Sequence, residues 1–415
     1  MESRRLETIV INTGTEILLG DVINTHLAFI AQEIFPLGLR VGHQLTVPDG
    51  PAIGQALTES LDRADIIVVT GGLGPTTDDI TREVVAKVLE LELHSDSGVL
   101  EAISRRAARR GFRLIDRMSR QADVPEGATV LPNEYGSAPG LYLPAQTGRR
   151  SNPHLFLLPG PPRELRPMFK SAVVPILRNL VAEQSGLSRK TYRIAGMGES
   201  LVEEAVGERL LALGGIEVGY CARSGEVDLR IIGQPALLDV GDKIIMAVLG
   251  DAVFSRGNET LTEVIVNLLR DGGKTLAVAE SCTGGYLAHR ITNVPGASTV
   301  FLTGYVTYAN DAKSRLLGVN PEMIARYGAV SEAVARAMAE GARKDARANI
   351  SIATTGIAGP SGGTETKPVG TVFIALASES RETVVRQYLF QDDRPTFKEL
   401  ASQAALEMLR RFLLV

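Results

Sequence analysis

The 415-residue chain contains no tryptophan, only two cysteines, and aromatic residues at 5%. Cys221 and Cys282 stand far apart with no metal-ligand spacing, which excludes a disulfide framework and fits a reducing compartment. No run of ~18 apolar residues occurs, so no membrane-spanning helix is expected. The opening residues, MESRRLETIVIN, lack the long apolar core of a signal peptide, and a cytoplasmic protein is the expectation. The net charge of −4 and the missing basic-aromatic groove argue against a nucleic-acid surface. Arg105, Arg106, Arg109 and Arg110 form one basic cluster, read here as a solvated helix face.

What is present is ordinary globular composition, 44% hydrophobic and 22% charged. A single core rarely grows past ~250–300 residues, so two or three domains are expected. Residues 7–12, 65–70 and 154–158 are apolar runs that stop at Gly- or Pro-rich turns. Helical spacing follows the first two, in Leu27, Ile30, Ile34 and in Ile80, Val84, Val88. Strand, glycine loop and helix in repetition predict a three-layer parallel-sheet α/β domain over about residues 1–170. Residues 171–256 then predict a small α+β module in β-α-β-β-α-β order, with a hairpin around Ser224-Gly225. It has no GxxG loop between helices. A third, α/β domain is expected over 257–415, closed by a long amphipathic helix.

Four segments could carry chemistry in the first domain: GGLGPTTDDITRE (71–83), GTEILLGD (14–21), NEYGSAPG (133–140) and LPGPPRE (158–164), the last two reading in isolation as structural Gly/Pro turns. Glycines 71 and 72 allow the backbone to approach a phosphate. One aspartate suffices to cap the next helix, so the pair Asp78 and Asp79 exceeds that need. Paired carboxylates beside phosphate oxygens suit Mg²⁺, Co²⁺ or a similar divalent ion. Glu16 and Asp21 are expected near the same sheet edge, since parallel strands collect their C-terminal ends in one crevice.

The most informative segment is AVAESCTGG, residues 277–285. A buried strand ends in Glu280, Ser281, Cys282 and Thr283, then two glycines, then the helix Tyr286–Thr292. That layout sets Ser281 and Thr283 beside backbone N–H groups that stabilise an oxyanion. Ser281 is the nucleophile candidate, with a helix cap as its bland alternative. Cys282 is the rival, although no histidine adjoins it in sequence. The stretch 304–318 supplies Tyr308, Asn310 and Lys313. Lys313 serves either as a base, with its pKa lowered by burial, or as a charge stabiliser with Tyr308 relaying the proton. Residues 353–372 form a second glycine-rich loop. A loop this long favours ligand binding over a mobile connection.

Together these motifs resemble the competence/damage-inducible protein CinA family. Its members join a molybdopterin-binding (MoaB/MogA-like) domain, through a small KH-like module, to a domain bearing AESCTGG. The resemblance covers residues 6–415. It implies a bifunctional hydrolase of pyridine nucleotide salvage. The C-terminal domain would deamidate nicotinamide mononucleotide (NMN) to nicotinate mononucleotide, without a cofactor. The N-terminal domain would cleave the pyrophosphate of ADP-ribose with a divalent metal. On this reading Ser281, Lys313, Tyr308 and Thr283 are catalytic. Glu280, Gly284, Gly285, Asn310, Thr355, Gly356, Gly359, Gly370 and Thr371 bind NMN. Gly14, Thr15, Gly71, Gly72, Gly74, Thr81, Gly136, Ser137 and Gly160 bind ADP-ribose, and Asp78, Asp79, Glu16 and Asp21 hold the metal. Alternatives are a non-catalytic pterin- or nucleotide-binding N-terminal domain, or a DNA-uptake and recombination accessory protein. Partners are expected to be small nucleotides, with no nucleic acid and no membrane, and a homodimer follows from base rates.

Overall fold

The computed structural model describes residues 6–109, 111, 116–148, 152–181 and 187–415. Two compact units divide the chain, residues 1–186 and 187–415.

The first unit is built on a six-stranded sheet. Strands Arg40–Val47, Glu7–Thr13, Ile66–Thr70 and His154–Leu158 lie side by side in parallel. Gly140–Leu143 and Thr129–Leu131 extend the edge in antiparallel fashion, so the sheet is mixed rather than wholly parallel. These two short strands and Arg40–Val47 lack the long apolar runs that marked the other three. Side chains alternate along each central strand, and both faces are buried. Ile9, Ile11, Ile67 and Val69 pack with Leu57, Val85 and Leu89 from helices Ala52–Leu61 and Thr81–Leu89. Val10, Ile66, Val68 and Phe156 face the other way, toward Ile30, Ile34 and Leu165. The expected boundary at residue 170 falls inside a helical run. Leu177 of Val174–Leu180 belongs to that same core, and the unit continues to residue 186.

The second unit begins with the expected β-α-β-β-α-β order. Its four-stranded antiparallel sheet runs Glu217–Arg223, Glu226–Gly233, Ser188–Ala195, Val253–Ser255. Helices Glu199–Leu211 and Pro235–Leu249 cover one face of it. A five-stranded sheet follows, in the order Phe301–Val306, Leu276–Glu280, Ile350–Gly356, Thr371–Ser378, Val384–Leu389. The first three strands are parallel and the last two antiparallel. Leu276, Val278, Ile352 and Ile374 pack against Leu261–Asp271 and the long helix Arg394–Leu413. Ala279, Ala353 and Phe373 pack against Glu332–Ala346. Among the described residues no helix is long and apolar enough to cross a membrane.

Candidate functional site

In the second unit, the C-terminal ends of the three parallel strands bring three loops together. Glu280 closes the central strand, fully buried among its neighbours. Its carbonyl accepts from Thr307 N at 2.8 Å, and the next amide, Ser281 N, donates to Thr354 O at 2.9 Å. These two bonds fix the Ser281 loop between the loops that carry Tyr308 and Thr355.

Lys313 sits on helix Asn310–Leu317 and is only 1% exposed. Its Nζ lies 3.1 Å from Ser281 Oγ and donates to the Thr307 carbonyl at 2.8 Å and the Tyr308 carbonyl at 3.3 Å. The two carbonyls thus orient the amine on the serine. Burial, with little counter-charge nearby, pushes the Lys313 pKa below its ordinary value. That is the condition a lysine base needs.

Cys282 suits the nucleophile role less well than Ser281. Burial pushes its thiol pKa up to about 12, so at neutral pH almost no thiolate exists.

Two expectations at this loop are corrected. The N-terminus of helix Tyr286–Thr292 is not free for an oxyanion. The Glu280 carboxylate accepts from Gly285 N at 3.0 Å, Leu287 N at 3.0 Å and Ala288 N at 2.8 Å. A carboxylate at that end satisfies the orphan amides and offsets the helix dipole. Glu280 therefore shapes the loop, where an NMN contact was expected. Thr283, expected to be catalytic, is fully buried with its hydroxyl 2.8 Å from that of Thr354. Glu280→Ala is expected to cost about 3 kcal/mol or more, because it strands several buried donors. An earlier urea transition of the 187–415 unit is the measurement.

Tyr308 also differs from expectation. Its carbonyl, not its phenol, meets Lys313. The phenol is 61% exposed and accepts from Arg394 at 2.6 Å. Arg394 also donates to the Gly359 carbonyl at 2.8 Å and so ties the Tyr308 loop to the glycine-rich loop. Arg394 was missed in the sequence because it starts the last helix, 86 residues beyond Tyr308. Lys398, one turn further on, has its Nζ 3.7 Å from where a Cβ on Gly284 would stand. Asn310 is exposed at the first turn of the lysine helix.

The glycine-rich loop joins the antiparallel strands Ile350–Gly356 and Thr371–Ser378. Several of its expected ligand residues are committed to the fold. Thr355 Oγ1 donates to Ala329 O at 2.8 Å, and Thr371 Oγ1 to Pro368 O at 2.8 Å. Gly370 has φ +97°, and a Cβ there would stand 2.3 Å from Phe390 O. At Gly356 a Cβ would lie 2.7 Å from Thr371 O.

In the first unit the four motifs do meet. They line one crevice of about 540 Å³ at the C-terminal ends of the parallel strands, which contains Gly14, Glu16, Gly71, Gly72, Gly74, Asp78, Asp79, Ser137 and Gly160. Gly72 has φ +66° and a Cβ there would stand 2.1 Å from Thr81 Oγ1, so this turn requires glycine. Thr81 is buried beneath the crevice, its hydroxyl donating to Gly71 O at 3.0 Å. Arg82, 1% exposed, donates to Leu73 O at 3.0 Å and pins the loop from below.

Two further acids line the crevice: Asp49, which no motif contains, and Glu164, the last residue of the LPGPPRE segment, to which the sequence assigned no role. Asp49 accepts from Thr15 N at 3.1 Å and from Thr15 Oγ1 at 3.3 Å, and Thr15 itself is not among the lining residues. Glu164 accepts from Asn133 Nδ2 at 2.9 Å and joins two of the motifs. Gly136 packs there too, since a Cβ on it would stand 1.7 Å from Glu164 Oε2. No spacing rule links Asp49 or Glu164 to the glycine loop; only the sheet does.

The expected metal seat is partly dispersed. Asp21 is exposed and does not line the crevice. Asp79 Oδ2 is taken by the Thr76 amide at 2.9 Å and by the Thr76 hydroxyl. Among the described residues no three His, Cys, Asp or Glu side chains form a metal-binding group. A closed cage is not required, because Mg²⁺ commonly binds through one or two carboxylates plus substrate phosphates. Asp78 and Glu16 fit that donor set.

Comparison with known proteins follows this geometry. Residues 9–179 match the model of a probable molybdopterin binding domain, 189–255 that of the damage-inducible protein CinA KH domain, and 258–413 that of the CinA C-terminal domain. A molybdopterin-binding-like α/β domain, chained to an α/β domain with a buried serine–lysine pair, defines the class. The chain belongs to the CinA family. A CinA-like protein of Akkermansia muciniphila is 45% identical over 403 residues, 97% of this chain and 96% of the relative. A putative competence-damage inducible protein of Symbiobacterium thermophilum is 42% identical, covering 97% of each chain. Among solved structures, the competence/damage inducible protein CihA from Agrobacterium tumefaciens is 39% identical. It covers 37% of this chain and 94% of its own, with a TM-score of 0.36.

Proposed function

We propose that the chain is a bifunctional hydrolase of pyridine nucleotide salvage. The second unit would release ammonia from NMN and leave nicotinate mononucleotide. The observation that carries this reading is the 3.1 Å approach of the buried Lys313 amine to Ser281 Oγ. The neutral amine takes the serine proton as Oγ attacks the carboxamide carbon. An ester C–O bond forms, and the C–N bond breaks as Lys313 returns the proton to the departing ammonia. Water, deprotonated by the same amine, then attacks the ester carbon, and the C–O bond breaks as Lys313 returns that proton to Ser281 Oγ. Arg394 and Lys398 place positive charge beside this loop cluster, which suits a phosphorylated substrate.

The first unit would cleave ADP-ribose to adenosine monophosphate (AMP) and ribose 5-phosphate. Its glycine turns let a pyrophosphate lie against the backbone. A divalent ion, held by Asp78 and Glu16, would neutralise charge developing on the phosphate oxygens. The test is to incubate the full chain separately with NMN and ADP-ribose, with and without chelator, and to identify the products. Chelation is expected to abolish ADP-ribose cleavage and to leave ammonia release unchanged. Chelator-sensitive ammonia release, or no product from NMN, overturns the assignment. The match to a probable molybdopterin binding domain favours one second reading, a pterin-binding module without catalysis. Calorimetry with molybdopterin against ADP-ribose separates the two.

A further inference from the structure

The arginines of helix Ser97–Arg109 form a solvated face, exposed at Arg105 and Arg109, while Arg110 falls outside the described residues. A cavity apart from both sites lies in the second unit, where the middle module meets the last helix. Its volume is about 550 Å³, within the ~300–1,000 Å³ of small-molecule pockets.

Two of its walls follow from local periodicity. Arg386, Tyr388 and Phe390 stand two residues apart along and just past strand Val384–Leu389, so they share one face. The rings of Tyr388 and Phe390 stack, 12° from parallel with centroids 5.7 Å apart. Leu400, Ala404 and Met408 recur every fourth residue along one face of helix Arg394–Leu413. The middle module contributes only glycines, Gly196 and Gly225. A Cβ on Gly225 would stand 2.7 Å from Gln403 Cγ, so the hairpin tip sits against the helix. A Cβ on Gly196 would meet nothing within 4 Å, so the space on that side is left open. The walls are held in place by hydrogen bonds. Gln403 donates to Glu226 at 2.6 Å and accepts from Arg290 at 2.7 Å, and Ser224 Oγ donates to Glu399 at 2.9 Å.

Charge on these walls is unbalanced. Glu407, the acid among the described lining residues, is shared by Arg410 at 2.7 and 2.8 Å and by Arg411 at 2.7 Å, which leaves positive charge in excess there. Arg386 is exposed and makes no hydrogen bond or ion pair among the described residues. Stacked rings, an aliphatic helix face and a free guanidinium together select a flat apolar body with one anionic edge.

We propose that this cavity is a binding site for a planar aromatic carboxylate. The ring lies against Tyr388 and the Leu400–Met408 face, and the carboxylate takes paired bonds from Arg386. No residue of the serine–lysine site lines the cavity. Deamidation of a pyridine carboxamide yields a ring acid of this kind, so the cavity matches the product's chemistry at a second place. That match rests on the deamidase reading; the binding site does not.

The test is calorimetry on the full chain with nicotinate, nicotinate mononucleotide and nicotinamide. Arg386→Gln and Tyr388→Leu are each expected to weaken binding of the acid by about tenfold. Nicotinamide has the same ring without the charge, and its binding is expected to show no dependence on Arg386. Tighter binding of nicotinate assigns the site to the free acid, and tighter binding of the mononucleotide to the nucleotide. No binding of either acid by the parent chain, binding of both unchanged in both variants, or an equal Arg386 dependence for nicotinamide overturns the proposal. Arg386-dependent binding by a chain that leaves NMN intact refutes the deamidase reading alone.

Discussion

Ser281→Ala is expected to abolish ammonia release from NMN, by about 10³-fold or more, while ADP-ribose cleavage continues at the parent rate. The size of the effect follows from the geometry. Lys313 Nζ is held by two carbonyls and points its remaining bond at Ser281 Oγ, so no other oxygen in the loop inherits the proton relay. Thr283 cannot substitute, since it is buried and bonded to Thr354. Cys282 cannot either, because burial holds its thiol protonated. Cys282→Ala is the control and is expected to keep activity within about threefold, the cost of a small packing defect. Full activity in Ser281→Ala would remove the nucleophile assignment.

Lys313→Arg is expected to lose activity by about 10²–10⁴-fold, the usual share of a general base. Arginine keeps the positive charge but does not deprotonate, so the variant separates a base from a charge stabiliser. If Lys313 only stabilised charge, the arginine form would retain much of the rate. The pH profile supplies a second reading. The parent rate should rise with pH through the lowered lysine pKa, and that limb should vanish in the variant.

Stability has a matching sign. Burial lowers the folded pKa of Lys313 below the unfolded value of ~10.4. Between the two values the unfolded chain binds the extra proton, so stability rises with pH in that window. Lys313→Met should lose this dependence, read as urea midpoints across alkaline pH.

Much of the fold was legible because buried parallel strands are continuous apolar runs closed by glycine. Residues 65–70 and 275–279 announce themselves in this way. The exposed edge strand Val384–Leu389 does not, because Arg386 and Gln387 interrupt its apolar residues. Within the sites, legibility followed chain distance. Gly71, Gly72 and Asp78 are neighbours in sequence and in the crevice. Asp49, Glu164 and Arg394 reach their sites from remote segments, and no local spacing marks them. Glu280 shows a subtler failure. Its position was visible, but its role depends on the chain turning back after Gly284 and Gly285, both at positive φ. That reversal aims three amides at its carboxylate.

The sequence by itself determined the buried central strands, the helices that follow them, the glycine turns and the types of chemical group present. Hydrophobic periodicity and backbone freedom are local properties, and they are written residue by residue. Only the tertiary structure decided which groups meet: the lysine with the serine, the glutamate with the helix end, and Arg394 with the Tyr308 loop. Those encounters depend on sheet order and on burial, and burial lowers the pKa of the lysine amine below its ordinary value.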